Sequence, residues 1–483
     1  MVRNPRLFWS VTVACLGVAA LYLAAAWLLA GTLAFPLDDA WIHQSYARTV
    51  AEHGEWAFLP GRPSSGSTSP LWTLLLAPGH WLPLSPVLWS HLLGLVAWGA
   101  TVTLGYALSR ALFEDRTIAT WSALALATEW HLGWAAVSGM EILLYVALVL
   151  LLLVLYLTRR GSPFVWGVVG GALTLARPEG MLLLGLIGAH FLWERRREPG
   201  AAARGAGALV AGWLLLVVPY GLFNWAVSGV IFPNTFYAKQ QEYGILLATV
   251  PLWQRLATLL WQPWIGGQAL FLLALPWLPW RRLGGARWLP LAWALGIVLL
   301  YALRLPVTYQ HGRYLMPTVP IFLLYGGAAF VYALRRLPSL WQRPLAAGVL
   351  VAFALFVLLG ASAYGQDVAI IECEMGTTAQ WVAEHSEPGD LIAAHDIGRL
   401  GYVAQRPILD FAGLVSPETI PIIRDEQALL DLADQRGARY LVTFADWYPT
   451  MIEDPRLVPV HATDCAGTWA AGGEPMTVYE LQR

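Results

Sequence analysis

The sequence predicts a polytopic α-helical membrane protein of about eleven spans with an extracytoplasmic C-terminal α/β domain. Of its 483 residues, 57% are hydrophobic and 13% are charged, whereas soluble domains carry roughly 25% charged residues. Apolar runs of membrane length recur as far as Tyr364. Beyond it, Asp, Glu and Pro become common and no such run follows. We therefore predict a transmembrane domain at 1–364 and a soluble domain at 365–483.

A helix needs about 20 residues to cross roughly 30 Å of hydrocarbon. The first apolar run is too long for a signal peptide and lacks a small-residue cleavage site, so we predict it as a span. The stretch 69–82, broken by Pro78 and Pro83, is too short and is predicted as an interfacial helix. The predicted spans, some slightly short, are 8–33, 86–109, 117–137, 139–158, 163–177, 180–194, 206–228, 266–280, 288–304, 314–334 and 344–364.

Arginine placement predicts the orientation, because positively charged loops stay in the cytoplasm. With these spans, the clusters beginning at Arg3, Arg110, Arg159, Arg195, Arg281 and Arg335 all fall in alternate connections. The N-terminus is then cytoplasmic. The loops 35–85 and 229–265, and everything after 365, are extracytoplasmic. A twelfth span at 69–82 would reverse the later loops.

The C-terminal segment alternates strand and helix patterns. DLIAAH and RYLVTF are typical of buried strands, and TTAQWVAEHS and EQALLDLADQRG are typical of helices, which predicts an α/β sandwich. Cys373 and Cys465 share the predicted oxidising compartment, so a disulfide and two free thiols are both open alternatives. No CxxC spacing suggests a zinc site. A net charge of -1 gives no argument for nucleic-acid binding.

The adjacent carboxylates Asp38 and Asp39 follow the first span. The segment LDDAWIHQSYARTVAEHG predicts an amphipathic interfacial helix that stops at Gly54, with apolar residues four apart on one face. One interpretation is that Asp38 caps this helix and Asp39 complements its dipole. Because one carboxylate suffices for a cap, the second stays unexplained, and both are candidates for chemistry.

Two further charged groups lie at predicted outer helix ends. Glu141 in SGMEILL enters an apolar helix, so it either faces a polar cavity or partner, or is a favourable helix-start glutamate. Arg177 and Glu179 flank the turn of LARPEGMLL. They either pair with each other, or Arg177 points its guanidinium at a phosphate or carboxylate.

The third outer loop holds Lys239, the sole lysine among 30 basic residues. Its retention suggests a compact ammonium donor, as phosphate binding often uses, although chance would also leave one lysine. His311 and Arg313 in TYQHGRYLMP either add charge to the same cavity or anchor the tenth span. No Walker loop, dinucleotide fingerprint, HExxH motif or nucleophile elbow is present, which disfavours cytoplasmic nucleotide-sugar chemistry.

Six motifs spread over nearly the whole chain carry a resemblance: LDDAWI, SGMEILL, LARPEG, PNTFYAK, HDIGRLGY and LDFAGLVSPE. In this order they resemble the C-type superfamily (GT-C) of membrane glycosyltransferases, which use polyprenyl-phosphate-linked sugars. The similarity is strongest to its bacterial arabinofuranosyltransferase-like and mannosyltransferase-like branch, including mycobacterial members. The resemblance implies a multi-pass protein of the bacterial plasma (inner) membrane.

The resemblance also implies an inverting hexosyl- or pentosyltransferase working at the outer face. The donor is a polyprenyl-phosphate sugar, and the acceptor is a cell-envelope glycan, glycolipid or protein. An aspartate of the first loop acts as general base; we favour Asp39, with Asp38 orienting it. Lys239 and Arg177, together with Arg313, are the candidates to bind the donor phosphate.

The remaining candidates line the implied substrate pocket: Glu141, Glu179, His311, Asn234 and Tyr237. No metal ligand and no cofactor are assigned. A second acidic motif of some superfamily members is not obvious here, so a divalent metal ion stays an open alternative. His395, Asp396 and Asp410 of the C-terminal segment suit either acceptor binding or a packing and lid role.

Two rival functions fit the same membrane architecture. A lipid or sugar transporter, such as a flippase, also has many spans and intramembrane charges, but no second copy of LDDAWI or LARPEG indicates the internal repeats typical of carriers. The other rival is a non-catalytic assembly or sensor protein whose outer domain binds glycan.

Overall fold

The structure is a computed structural model that describes residues 5–482. Helices dominate the chain. They are α1 (Pro5–Ala30), α2 (Asp39–His53), α3 (Pro70–Leu76), α4 (Pro86–Phe113), α5 (Arg116–Thr128), α6 (Trp130–Val137), α7 (Ile142–Leu157), α8 (Pro163–Ala176), α9 (Gly180–Glu194), α10 (Pro199–Ser228), α11 (Asn234–Glu242), α12 (Gly244–Thr249), α13 (Leu252–Trp261), α14 (Leu289–Arg304), α15 (Tyr309–Gly312), α16 (Val319–Leu334), α17 (Ser339–Ile371), α18 (Thr377–His385), α19 (Gly398–Ala404), α20 (Glu426–Gln435) and α21 (Ala466–Ala470).

Within residues 5–482, seven strands form two sheets. They are β1 (Ala57–Leu59), β2 (Arg62–Pro63), β3 (Leu391–Ala394), β4 (Ile408–Asp410), β5 (Ala438–Phe444), β6 (Leu457–Ala462) and β7 (Met476–Leu481). β1 and β2 form a small antiparallel hairpin, and the other five strands lie in the order β4-β3-β5-β7-β6. β4, β3 and β5 are mutually parallel, whereas β7 is antiparallel to both β5 and β6.

Six helices of the described residues are long and apolar enough to cross a membrane, and the count rises to eight if each of two bent helix pairs is one span. Both bent pairs turn sharply: α6 and α7 meet at 118°, and Leu252–Trp264 meets the 3-10 helix Gly267–Trp277 at 104°. α8 and α9 are apolar but shorter than a full span. The chain is thus a multi-pass membrane protein, and the count of about eleven spans stays a prediction.

The described chain divides into two compact units, each of which is built from separated segments. The helical unit comprises residues through Tyr22, His91–Pro219 and Leu246–Ser362. The mixed unit comprises Leu23–Ser90, Tyr220–Ile245 and residues from Ala363 onward. The C-terminal segment therefore shares its compact unit with the predicted outer loop 35–85 and with the first part of the predicted outer loop 229–265, as far as Ile245. The domain boundary at residue 364 stays a prediction.

The core of the helical unit is centred on α16, which is buried along most of its length. α5 and the 3-10 helix Gly267–Trp277 pack against α16. Close approach requires a small residue there, because a side chain at Gly326 would lie 2.9 Å from Cβ of Phe271.

The five-stranded sheet of the mixed unit has a hydrophobic core on each face. Alternate residues of a strand point to opposite faces, so Ile392 and Ala394 pack with α18, α19 and α2, whereas Ala393 packs with α20. This makes three layers, with helices on both sides of the sheet. All four elements predicted from the C-terminal sequence are confirmed, as β3, β5, α18 and α20.

Helix α2 ends as predicted, at Gly54, whose φ of 69° is favourable for glycine and whose N–H donates to the carbonyl of Val50. The prediction that α2 is an amphipathic helix lying in the membrane interface is wrong about its exposure. Most of α2 is buried, because α3 and β1 cover it from the first loop and α19 covers it from the C-terminal segment. Ile42 and Tyr46 thereby join the core of the sheet.

A disulfide joins Cys373 to Cys465, with the two Cα atoms 6.0 Å apart. Cys373 lies in the π-helical turn Glu372–Gly376, and Cys465 directly precedes α21. Of the two alternatives left open by the sequence, the bonded pair is the one observed. The bond covalently links the π-helical turn after α17 to the residue that precedes α21.

Candidate active site

The carboxylate of Asp38 anchors the start of α2 to α19. Its Oδ2 accepts the backbone N–H of Gly398 at 2.6 Å, and its Oδ1 accepts the backbone N–H of Arg399 at 2.6 Å. It makes no capping hydrogen bond to its own helix. The interpretation that Asp38 caps α2 is therefore wrong, because the donors it satisfies belong to a helix of the C-terminal segment.

Gly398 is required for this contact. A Cβ atom built on Gly398 would lie 2.1 Å from the backbone carbonyl oxygen of Asp38 and 2.7 Å from its Oδ2. A contact of that kind is far shorter than van der Waals distance, and backbone atoms cannot rotate away from it. The close approach of α2 and α19 thus depends on a residue without a side chain.

Arg399 strengthens the same junction through its side chain. Its guanidinium donates to Oε2 of Glu372 at 2.7 Å and lies over the ring of Trp41, 4.1 Å from the centroid. Trp41 belongs to α2, so Arg399 contacts that helix through its side chain while its N–H binds Asp38. This stacking is a cation–π contact.

Burial sets the protonation of Asp38. Removal from water raises its pKa to about 6, the two N–H donors oppose the rise, and the negative charge of Asp39 adds to it. Both oxygens already receive hydrogen bonds from the backbone. Asp38 is therefore held in place by the backbone of α19, and the assignment of Asp39 as the general base stays a prediction.

Five ionisable side chains of the mixed unit form an electrostatic cluster with Asp38: Asp39, Lys239, Glu242, His395 and Asp396. Burial raises the pKa of Asp396 well above its usual value, the charges of Asp38 and Asp39 raise it further, and Lys239 opposes them. Burial also raises the pKa of Glu242, again against the effect of Lys239. Lys239 is thus the ammonium group within a cluster of carboxyls.

His395 is held neutral in this cluster. Burial, together with the positive charge of Lys239, lowers its pKa to about 3. Its Nδ1 and the hydroxyl of Tyr448 share a hydrogen bond of 2.6 Å, and its Nε2 lies 3.7 Å from Oε1 of Glu242. A neutral imidazole keeps one nitrogen as donor and one as acceptor, which suits contact with a hydroxyl group.

Helix α11 presents Lys239 and Glu242 from the third predicted outer loop. Its first residue, Asn234, is 2% exposed; the backbone N–H donates to Ser65 at 2.9 Å and the side-chain amide donates to the carbonyl of Leu414 at 3.4 Å. Tyr237 packs edge-on against Phe236, with the ring centroids 5.4 Å apart. These contacts position α11, and pocket roles for Asn234 and Tyr237 stay predictions.

Asp410, the last residue of β4, organises the loop that follows this strand. Its Oδ1 accepts the N–H of Ala412 at 2.9 Å, and its Oδ2 accepts the N–H groups of Leu414 and Val415 at 2.6 and 2.9 Å. Burial raises its pKa to about 7 against these bonds. The packing role weighed for Asp410 fits this arrangement.

The helical unit holds a second charged group around Arg177. Its Nε donates to Oε1 of Glu179 at 2.6 Å, one terminal nitrogen lies 3.5 Å from Oε1 of Glu141, and the other donates to the hydroxyl of Tyr301 at 3.1 Å. The Arg177–Glu179 pair and the polar partner for Glu141 are therefore both observed. Glu141 makes no capping hydrogen bond to α7.

Arg313 shares an aromatic partner with Arg177. The guanidinium carbon of Arg313 lies 5.0 Å from the ring centroid of Tyr314, and that of Arg177 lies 5.4 Å from the same ring. His311 has a left-handed φ of 58° and packs edge-on against Trp130 and Trp134. The guanidinium groups of Arg177 and Arg313 therefore lie at the same tyrosine ring.

The sequence-predicted site residues fall in both units. Asp38, Asp39, Lys239, Asn234 and Tyr237 belong to the mixed unit, whereas Arg177, Arg313, Glu141, Glu179 and His311 belong to the helical unit. Their gathering into one pocket stays a prediction. Between residues 5 and 482, no group of three or more His, Cys, Asp or Glu side chains is arranged to hold a metal ion.

Two residues of this site, Glu242 and Gly398, were not among the sequence predictions. Glu242 follows Lys239 by three residues on α11, a helical spacing that places both on one side and was a usable signal. Gly398 and its N–H carry no side-chain signature. His395 and Asp396 were identified only as residues near strand ends, and the structure groups them with Asp39.

Comparison with known proteins identifies the fold. The chain aligns with ArnT from Cupriavidus metallidurans, bound to undecaprenyl phosphate, at 15% identity and a TM-score of 0.60 over 97% of each chain. It aligns with the oligosaccharyltransferase AglB from Archaeoglobus fulgidus at 12% identity and a TM-score of 0.59, over 91% of this chain and 69% of AglB. The arabinofuranosyltransferase AftD from Mycobacteria gives 18% identity and a TM-score of 0.48, over 97% of this chain and 40% of AftD.

The chain therefore has the fold of the C-type (GT-C) membrane glycosyltransferases. The expected resemblance is confirmed at the level of fold. Residues 362–479 match the family model of a domain of unknown function, DUF8728. This range contains nearly all of the five-stranded sheet. No curated protein sequence matches the chain.

Proposed function

We propose that the protein is an inverting glycosyltransferase that transfers a hexosyl or pentosyl group from a polyprenyl-phosphate donor to an acceptor hydroxyl. The observation that carries the proposal is the anchored pair at the start of α2. Asp38 is fixed by two backbone N–H groups, and the adjacent Asp39 belongs to a cluster with Lys239 and Asp396. The fold shared with ArnT and AglB supports the same class of reaction.

In the proposed reaction Asp39 is the general base. As the acceptor oxygen attacks the anomeric carbon, its proton passes to the Asp39 carboxylate. The bond between the anomeric carbon and the phosphate oxygen breaks, and both electrons leave with the polyprenyl phosphate. Attack from the side opposite the leaving group inverts the configuration. General-base help of this kind contributes about 10²–10⁴ in rate.

The leaving phosphate gains negative charge as its bond breaks, so a cation beside it stabilises the transition state. Lys239 of the mixed unit is the first candidate, because it is the ammonium group of the cluster that contains Asp39. Arg177 and Arg313 are the candidates of the helical unit, where two guanidinium groups share Tyr314. Each candidate can be tested by itself.

The experiment uses the purified full-length protein in nanodiscs with a panel of polyprenyl-phosphate sugars, and measures sugar transfer, donor hydrolysis and donor binding. D39N should lower turnover by at least about 10²-fold, because the amide cannot accept the proton from the acceptor hydroxyl. The variant should still bind the donor. E52Q is the matched control, since Glu52 lies on the same helix α2 and is exposed. It should behave as wild type.

Three results would contradict the proposal. The first is that no polyprenyl-phosphate sugar is consumed by the wild type. The second is that D39N retains full turnover, which removes the general base. The third is passage of an intact lipid-linked sugar across the bilayer without cleavage of the glycosidic bond, which would make the protein a transporter.

We further propose that the mixed unit lies at the outer face of a bacterial plasma membrane, with the N-terminus in the cytoplasm and a cell-envelope glycan, glycolipid or protein as acceptor. The arginine clusters support this orientation. Cysteines introduced beside residues 38 and 239 should react with an impermeant reagent added outside intact cells. Reaction only after membrane disruption would refute the orientation.

A further inference from the structure

The parallel part of the sheet has a switch in strand order. From β3 the chain passes to β4 on one side, and the next parallel strand, β5, lies on the other side of β3. In open α/β sheets the crevice beyond the carboxyl ends of two such strands is the usual ligand site. In this sheet the residues at the corresponding position are His395 and Asp396 after β3 and Ala445–Trp447 after β5.

An exposed aromatic side chain lies at this end of the sheet. Trp447 is 44% exposed although it packs edge-on against His395, with centroids 4.7 Å apart, and against Phe444, with centroids 5.2 Å apart. These two neighbours hold the indole in place while much of its surface stays open to solvent. A rigid, solvent-facing indole provides an apolar platform at low cost in conformational entropy.

Two polar residues, His395 and Asp396, follow β3, and the first of them packs against this indole. Oδ2 of Asp396 is buried and has no hydrogen-bond partner in residues 5–482. His395 hydrogen-bonds to Tyr448, the residue after Trp447, and Glu242 lies 3.7 Å from the other ring nitrogen. A buried carboxyl oxygen without a hydrogen-bond partner is unfavourable, so a hydroxyl group of a ligand would stabilise it.

We propose that Trp447, His395 and Asp396 form an acceptor subsite that binds a sugar ring. The combination of an apolar platform with adjacent carboxyl and imidazole groups matches a pyranose or furanose ring, which has an apolar C–H face and a rim of hydroxyl groups. An extended peptide would instead require a row of backbone partners. The inference rests on the proposed function and narrows its acceptor to a glycan or the sugar part of a glycolipid.

The test measures binding without any donor. Methyl α-D-mannopyranoside and methyl α-D-arabinofuranoside are titrated against the full-length protein in nanodiscs, with saturation-transfer NMR as the readout. W447A should weaken binding of at least one glycoside about tenfold, and W447F should restore most of it. W469A is the matched control, because Trp469 is also exposed, at 54%, in the same unit. It should bind as wild type.

The subsite is refuted if W447A binds the glycosides as tightly as wild type, or if neither glycoside binds. It is also refuted if a serine-containing heptapeptide without sugar binds in a Trp447-dependent way, which would make the acceptor a protein. Donor hydrolysis by the wild type is measured in parallel. If the wild type hydrolyses the donor but glycoside binding does not depend on Trp447, the transferase proposal stands and the subsite proposal fails. If glycoside binding depends on Trp447 but no donor is hydrolysed, the subsite proposal stands and the transferase proposal fails.

Discussion

The carboxylate of Asp38 accepts the backbone N–H of Gly398 at 2.6 Å, although 360 residues separate the two in sequence. This hydrogen bond joins the loop after the first helix to the helix that follows β3. It gives Asp38 a positioning role, because a carboxylate bound to two main-chain donors fixes the start of α2 and therefore the adjacent Asp39. Both the packing and the proposed chemistry depend on this junction.

G398A should separate α2 from α19. The added methyl group would lie 2.1 Å from the carbonyl oxygen of Asp38, and such overpacking typically destabilises a protein by about 1–3 kcal/mol. Thermal unfolding in nanodiscs measures the loss, and sugar transfer should fall with it. G389A is the control, because a Cβ at Gly389 meets nothing within 4 Å. Equal unfolding temperatures for the two variants would contradict the close contact.

D38N should change the pH dependence of kcat/KM. Because burial raises the pKa of Asp38 to about 6, its ionised form dominates only above that pH. The neutral amide introduced by this substitution presents one acceptor oxygen where the carboxylate presents two, and loss of one such bond costs about 1–3 kcal/mol. The ratio of wild-type to D38N activity should therefore be about tenfold or more at pH 8 and should shrink toward pH 5. A ratio that stays constant over this range would refute the positioning role.

R313K and R177K test phosphate binding in the helical unit. Lysine keeps the charge but loses the planar guanidinium, so the KM for the lipid donor should rise about tenfold in each variant. R177K should also lower the unfolding temperature, since Arg177 pairs with Glu179 and Glu141. R304K is the control at an exposed arginine. An unchanged donor KM in both variants would remove this anion site.

The disulfide should be detectable by thiol counting. Maleimide labelling of the unfolded chain without reductant should modify one cysteine of the three, Cys15, and labelling after reduction should modify all three. The double variant C373S/C465S should be less stable by about 4–5 kcal/mol, because the bond closes a loop across a sequence separation of 92 residues. Labelling of three thiols before reduction would contradict the bond.

Local patterns were sufficient to predict local structure. The spacing of apolar residues and Gly54 predicted α2 and its end, and the β-branched and aromatic run RYLVTF predicted β5. The pairing of Arg177 with Glu179 was also open to sequence reasoning, because the two residues flank one tight turn. In each case the interacting groups lie within a few residues of each other.

The partner of Asp38 could not be predicted in this way. Its donors are main-chain N–H groups of a distant helix, and every residue except proline has such a group. His395 and Asp396 interact electrostatically with Asp39 only because the sheet packs on α2. That packing is a tertiary relationship. The available signal was topological, since both residues follow a strand at the switch in strand order.

The three-segment origin of the mixed unit has a consequence during biosynthesis. A ribosome adds about 5–20 residues per second, so Gly398 emerges roughly 20–70 s after Asp38, given their separation of 360 residues. Throughout that interval the nascent chain holds its acidic pair without the amides that fix it. The proposed transferase activity is therefore expected only near the end of translation, and a polypeptide that terminates before Gly398 should be inactive.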